Sequence, residues 1–471
     1  DPAYADLAFY YYLQYHLDRH LAGVADYARG RGIVLKGDIP IGIYTYSADA
    51  WVEPELYNMD GQAGAPPDAF AAEGQNWGFP TYNWEAMAAD GYRWWRQRFT
   101  QLGRYFDAFR IDHILGFFRI WETPIEQVEG ILGHFNPAIP VSIDELRQRA
   151  ISFDFDRYCR PYITDDWLAE LFGPEADYVK QTFLLPVGGG RWQFREEVSN
   201  QRALAAALPA DKADLEKKLF RMVSNVLLLP VPGSQATEFH PRISLFDTYS
   251  YQQLDGHSQW QLRELHDDYF YRRQEDFWRE QGMTKLPAMK DATDMLICGE
   301  DLGMVPACVP DVMRDLGILS LEIQRMAKNP KTEFLQPADI PYWAVCSPST
   351  HDMPPIRLWW EEEEPGRRQR FYNQELGWWG DAPDTCSPEL AGAIIHQHLH
   401  WPAMWTVFPL QDLLAMDGAL RRDDPAAERI NVPAIVQYYW RYRMHLSLED
   451  LLAADDFNGR LRAMLAQAGR A

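Results

Sequence analysis

Apolar and polar positions alternate along this chain in two distinct rhythms. Between residues 10 and 30, Leu13, Leu17, Leu21 and Val24 recur at three- and four-residue intervals with His16 and His20, and Gly30 and Gly32 follow. That spacing predicts an amphipathic helix closed by glycine. The rhythm then changes to brief unbroken apolar runs. Ile33-Val34-Leu35 precedes Lys36-Gly37-Asp38, Phe106 to Ile111 precedes Asp112, and Met295 to Gly299 precedes Glu300. Tyr342 to Cys346 runs into Ser349-Thr350-His351-Asp352, and further runs occupy residues 318–323 and 404–408, which makes six candidate strands. Helix-like stretches at 309–316, 388–398 and 410–421 lie between or after them. Strand followed by helix is the signature of an α/β fold with parallel strands, either a barrel or a doubly wound sheet.

Residues 125–290 break the alternation. They hold helix-like segments such as 210–225 and the loop Gly188-Gly189-Gly190, and they are too long for an ordinary connection. The predicted organisation is therefore a β/α part over 1–124, an inserted, mainly helical subdomain over 125–290, and a second β/α part over 291–471. An acidic run at Glu361 to Glu364 reads as a solvated helix start.

The chain has 471 residues, 47% apolar and 24% charged, which suits a folded globular protein with a large core. A formal charge of −23 argues against a nucleic-acid partner, because phosphate binding requires a basic surface. Aromatic residues reach 14%, with 18 Trp. Flat rings cover the apolar faces of sugars, although a Trp-rich core accounts for the same figure equally well. Five scattered cysteines, Cys159, Cys298, Cys308, Cys346 and Cys386, fit a reducing, cytoplasmic compartment and offer no metal or redox spacing. No apolar run approaches the ~20 residues that span a bilayer.

In a parallel β/α fold, ligands bind at the C-terminal ends of the strands, where these acids lie. Any one of them alone is more commonly a helix cap or an acceptor for loop amides. As a set they suit cleavage of a glycosidic bond with retention, which needs a nucleophilic carboxylate and a second carboxyl about 5–5.5 Å away to protonate the leaving oxygen. Asp112 and Glu300 could form that pair, with Asp352 holding sugar hydroxyls. Arg110, two residues before Asp112, points to the same face of a strand and should lower the aspartate's pKa. His351 could donate to a sugar hydroxyl. His396, His398 and His400 alternate, but in a helix-like run with no paired carboxylates; a metal site is not expected.

The strings F-R-I-D-H at Phe109 to His113, G-E-D-L-G at Gly299 to Gly303 and S-T-H-D at Ser349 to Asp352 resemble, in order, the catalytic segments of glycoside hydrolase family 77, the 4-α-glucanotransferases. G-D-I-P-I-G from Gly37, S-A-D-A-W from Ser47, G-A-P-P-D-A-F from Gly64 and G-Q-N-W-G-F-P-T-Y-N-W from Gly74 add to the likeness. E-R-I-N-V-P-A from Glu428 and W-R-Y-R-M from Trp440 extend it nearly to the end. The resemblance implies a (β/α)8 TIM-type barrel that transfers glucosyl or glucanosyl units between α-1,4-glucans, maltose and glucose among them, by double displacement. It implies no metal and no organic cofactor.

By the same resemblance Asp112 is the nucleophile, Glu300 the acid/base and Asp352 the transition-state stabiliser, supported by Arg110 and His351. Asp38, Gln75, Trp77, His113, Asp301 and Asn431 would line or brace the glucan cleft. The long insertion between the two acids is similar to that of the plant cytosolic disproportionating-enzyme subtype and its bacterial relatives, which carry starch-binding modules ahead of the catalytic domain. The strand ending in G-D-I-P is the third of eight in the family, so the chain is expected to lack the first two barrel strands and to be part of a longer protein. The alternatives are an α-glucan hydrolase with the same acids and a catalytically incompetent glucan-binding fragment. Pro354-Pro355, Tyr44-Thr45-Tyr46 and Ile435-Val436-Gln437 depart from the family's usual, more polar residues.

Overall fold

The computed structural model describes residues 4–68, 71–433, 435 and 438–470. Ala69, Phe70, Ala434, Val436 and Gln437 of the quoted strings lie outside the described residues. The chain divides into two compact units. One is formed by Ala108–Ile111, Leu296–Leu302 and Met313–Ala471, and the other by the remainder.

The first of these units holds five parallel strands whose spatial order follows the chain. Ala108–Ile111 pairs in register with Leu296–Gly299, from Ala108 opposite Leu296 to Ile111 opposite Gly299. Cys298 bridges to Leu319, the residue before Ser320–Ile323, which in turn pairs with Ala344–Ser347. Val345 and Cys346 pair with Trp405 and Thr406. Strands buried on both faces read as continuous apolar runs, which is why each was visible in the sequence. Helices flank them. Pro388–Leu399, capped by Ser387, buries Leu390, Ala391, Ile394, Ile395 and His398 in a core shared with Trp360, Phe371 and Leu414. Each buried leucine or isoleucine among them contributes about 1.5–3 kcal/mol.

The histidine alternation is a consequence of this helix: His398 is buried with Nδ1 against the Ile394 carbonyl at 2.8 Å, while His396 and His400 are exposed. Two expectations need correction. The helix expected over 410–421 stops at Leu414, because the Asp417 carboxylate takes the N–H groups of Ala419 and Leu420 and turns the backbone instead. The acidic run is also not one solvated start. It ends the helix Ile356–Glu362 and caps the helix Pro365–Arg370, with Glu363 accepting from the Trp359 indole and from Arg367.

In the other unit, Lys36–Ile39 is a strand, and Tyr4–Arg29 is a helix that covers the expected one, but its predicted apolar stripe is not the buried face: Leu13, Leu17 and Val24 are exposed, while Ala25 and Ala28 are buried. The strand begins later than its apolar run: the Leu35 N–H bonds the Asp107 side chain, and Ile33 and Val34 remain exposed. A four-stranded antiparallel sheet places Tyr57–Ala65 between Gln75–Tyr82 and Ile120–Pro124 and ends on His134–Asn136. Residues 125–290 contain helices such as Ala213–Val223, Gly256–Tyr271 and Glu275–Lys290. The predicted glycine loop is the turn of the hairpin Leu184–Gly188 and Arg191–Phe194, its three glycines all at positive φ. Among the described residues no sheet is closed into a barrel.

Candidate active site

Three of the sequence-predicted acids follow parallel strands directly or within a short loop. Ile111 and Gly299 are opposite one another, and the Glu300 N–H donates to the Ile111 carbonyl at 2.9 Å. Glu300 is half-buried at the end of its strand, and Arg110 lies opposite Cys298 one residue before the end. Asp112 is the residue after Ile111. It lies just past its ladder, as Glu300 does past its own.

Asp352 sits in a turn after Ala344–Ser347, surrounded by the groups expected to support it. The His351 Nε2 is 3.1 Å from its Oδ2, and the Asn431 amide donates to Oδ1 at 2.7 Å. The Asn431 N–H also donates to the His351 carbonyl at 3.1 Å, so the late segment carrying Asn431 is pinned to the acid's loop twice. Burial by itself would raise the pKa of Asp352. The hydrogen bond and charge of His351, the Asn431 amide and the nearby Arg110 charge together outweigh burial and hold the carboxyl below its usual range. Arg110 therefore acts electrostatically on Asp352, an influence the sequence reading had assigned only to Asp112.

Asp301 is 1% exposed, so it braces rather than lines a surface. It accepts from the Leu321 N–H at 2.9 Å and pairs with the Lys328 ammonium at 2.7 Å, which also reaches Glu322 at 2.9 Å. Burial pulls the lysine pKa down, and the two carboxylates more than restore it, so the ammonium stays charged. This pair clamps the residue after Glu300 to the next strand.

The remaining predicted residues form a second connected set in the other unit. Asp38 is exposed on the strand Lys36–Ile39, and the Asp112 N–H donates to the Ile39 carbonyl at 3.0 Å. His113 has φ 43°, a left-handed conformation that non-glycine residues adopt rarely and at a cost. Its ring meets Trp77 edge-on, with centroids 5.0 Å apart, and the Trp77 indole donates to Gln75 at 3.0 Å. Phe79 stacks on Trp77, with centroids 5.8 Å apart. Asp38, Asp112, His113, Trp77 and Gln75 are thus joined by backbone, ring and amide contacts.

The sequence reading missed Asp412. It is fully buried, accepts from the Ile356 N–H at 2.7 Å and from the Ser349 hydroxyl, and so fastens both sides of the S-T-H-D loop. Burial pushes its pKa up to about 6. An aspartate on a helix-like run carries no signal of this role in sequence. Arg325, just after the strand Ser320–Ile323, was also not among the predicted residues: it binds the carbonyls of Pro348 and Pro354 and spans that loop. The prolines at 354 and 355 fit this arrangement, since Pro354 offers a carbonyl and Pro355 precedes the helix Ile356–Glu362. Trp440 packs against His351 at 5.0 Å.

Comparison with known proteins completes the picture. A family model described as 4-alpha-glucanotransferase, of glycoside hydrolase family 77, matches residues 2–448. The chain is 43% identical to the 4-alpha-glucanotransferase DPE2 of Oryza sativa subsp. japonica, over 98% of this chain and 50% of that protein. It is 24% identical to the 4-alpha-glucanotransferase of Chlamydia muridarum, over 98% of this chain and 60% of the relative. The chain therefore spans about half to three fifths of the length of these relatives. Among solved structures, the amylomaltase from Streptococcus agalactiae in complex with acarbose matches 97% of this chain and 62% of its own, with a TM-score of 0.55 at 17% identity, a likeness of fold. With the family model covering nearly its whole length and the three acidic segments in the family's order, this chain belongs to glycoside hydrolase family 77, the 4-alpha-glucanotransferases.

Proposed function

We propose that this chain carries the catalytic residues of a 4-alpha-glucanotransferase that moves glucosyl or glucanosyl units between α-1,4-glucans with retention. The observation that carries the reading is the parallel register of Ile111 with Gly299, which delivers one acid directly after each of two adjacent strand ends. Asp112 attacks the anomeric carbon and forms the glycosyl ester while Glu300 protonates the departing oxygen. Glu300 then removes the proton from the incoming 4-hydroxyl, which attacks and frees Asp112. Asp352, held ionised by His351, Asn431 and Arg110, stabilises the positive charge that develops on the sugar ring. Trp77, with Gln75 on its indole, offers a face to the acceptor sugar, and an occupied acceptor site favours transfer over water.

The parallel strands are read as the third to eighth of a (β/α)8 barrel, with residues 125–290 as its inserted subdomain. Five cysteines present as free thiols favour a reducing, cytoplasmic setting. The test is incubation with maltose, with and without glycogen, following glucose release and the redistribution of chain lengths. Transfer gives redistribution and acceptor-dependent glucose release; glucose released equally without acceptor identifies a hydrolase instead. Asp112→Asn should lower turnover by at least about 10³-fold; a variant near the normal rate removes Asp112 as nucleophile.

A further inference from the structure

Tyr44 and Tyr46 both stand out from the surface, 71% and 83% exposed. Exposure of a single ring is unremarkable. These two meet edge to face at 5.6 Å, and the segment bearing them is built onto the aromatic pair Trp77 and Phe79. The Thr45 hydroxyl between them donates to the Gly78 carbonyl at 3.1 Å, between Trp77 and Phe79. Two residues before Tyr44, Gly42 lies directly against the Phe79 ring; a Cβ there would overlap it. Ile41 and Ile43 are buried beneath, and the Ser47 N–H closes the turn on the Tyr44 carbonyl at 2.9 Å. The segment that carries the two exposed tyrosines is thus anchored to the strand that carries Trp77 and Phe79.

We propose that Tyr44 and Tyr46 are an additional α-glucan contact, which receives the distal sugars of a long acceptor chain whose end lies at Trp77. The inference rests on the transferase reading above. Tyrosine suits it, because the ring covers the apolar face of a pyranose while the hydroxyl reaches neighbouring hydroxyls. A monosaccharide acceptor is too short to engage it.

The test compares the full chain with the double variants Tyr44→Ala/Tyr46→Ala and Tyr44→Phe/Tyr46→Phe. Glycogen binding is measured without donor by affinity electrophoresis, and the ratio of kcat/KM with glycogen to that with glucose as acceptor is measured separately. The alanine pair should weaken glycogen binding and lower the acceptor ratio by about fivefold, and the phenylalanine pair should retain most of both. Unchanged glycogen binding and an unchanged ratio in the alanine pair overturn the proposal, as does equal loss with both acceptors, which signals structural damage. If the unsubstituted chain transfers no sugar, the transferase reading fails while the binding comparison still decides whether these tyrosines hold glucan.

Discussion

At the residue scale, the state of Asp352 depends on few and removable partners. Its carboxyl is held ionised against burial by His351, Asn431 and Arg110. Removing the amide in Asn431→Ala withdraws one of these and raises the carboxyl's pKa. The ionised form is then lost at a higher pH, so the acidic limb of kcat/KM should move upward, with the alkaline limb unmoved. A pH–rate profile of the variant checks this, and an unmoved acidic limb disconnects Asn431 from the chemistry. His351 stood out because it is adjacent to Asp352, although the expectation was that it donates to a sugar hydroxyl; Asn431 was expected from family likeness to line or brace the cleft, and its contact with Asp352 spans 79 residues.

At the element scale, two devices hold the site's supports. In the antiparallel hairpin, Gly64 faces Asn76, and a Cβ on it would run into the backbone carbonyl of Gln75, which cannot swing away as a side chain can. Gly64→Ala should destabilise by about 1–3 kcal/mol and displace Gln75 and Trp77. As a control, a Cβ on Gly392 inside the helix Pro388–Leu399 would meet nothing beyond its own helix nearer than Met416 at 4.0 Å. Gly392→Ala should stabilise by up to about 1 kcal/mol. Urea midpoints of the two variants should move in opposite directions. The second device is the ion pair between Arg357 and Glu428, with side chains 5% and 2% exposed and 3.1 Å apart. Arg357 also holds the Arg422 and Asp423 carbonyls, tying down the segment that leads to Asn431. Arg357→Ala leaves the buried Glu428 carboxylate without its counter-charge and should cost about 3–5 kcal/mol in a denaturant titration.

At the scale of the whole molecule, Asp412 couples pH to stability. Its pKa is raised to about 6 when folded, from 3.8 as the ordinary value, so the folded state binds the proton more tightly than the unfolded chain. The resulting stabilisation is complete below the unfolded pKa and is lost as pH rises through about 6. Relative to Asp412→Asn, which cannot ionise, the native chain should lose about 2 kcal/mol between pH 4 and 6. Denaturation midpoints of both proteins across that range provide the check; parallel curves would show that Asp412 does not titrate there.

The sequence by itself determined where the six strands lie and where the acids stand along them. A strand buried on both faces must be a short apolar run, and a ligand-binding acid at its end interrupts that run, so both leave a local mark. It also showed a loss of strand–helix alternation over 125–290. Tertiary structure alone decided the rest. Asp412 holds Ser349 from 63 residues away, Arg110 acts on Asp352 from another strand, and Asp301 is buried against Lys328 rather than turned to solvent. The continuity from Trp77 through Phe79 and Gly42 to Tyr44 likewise appears only once the hairpin folds over the loop after the first strand. Contacts between distant segments are set by packing and burial, and a polar residue's neighbours across the fold leave no periodic trace in the chain.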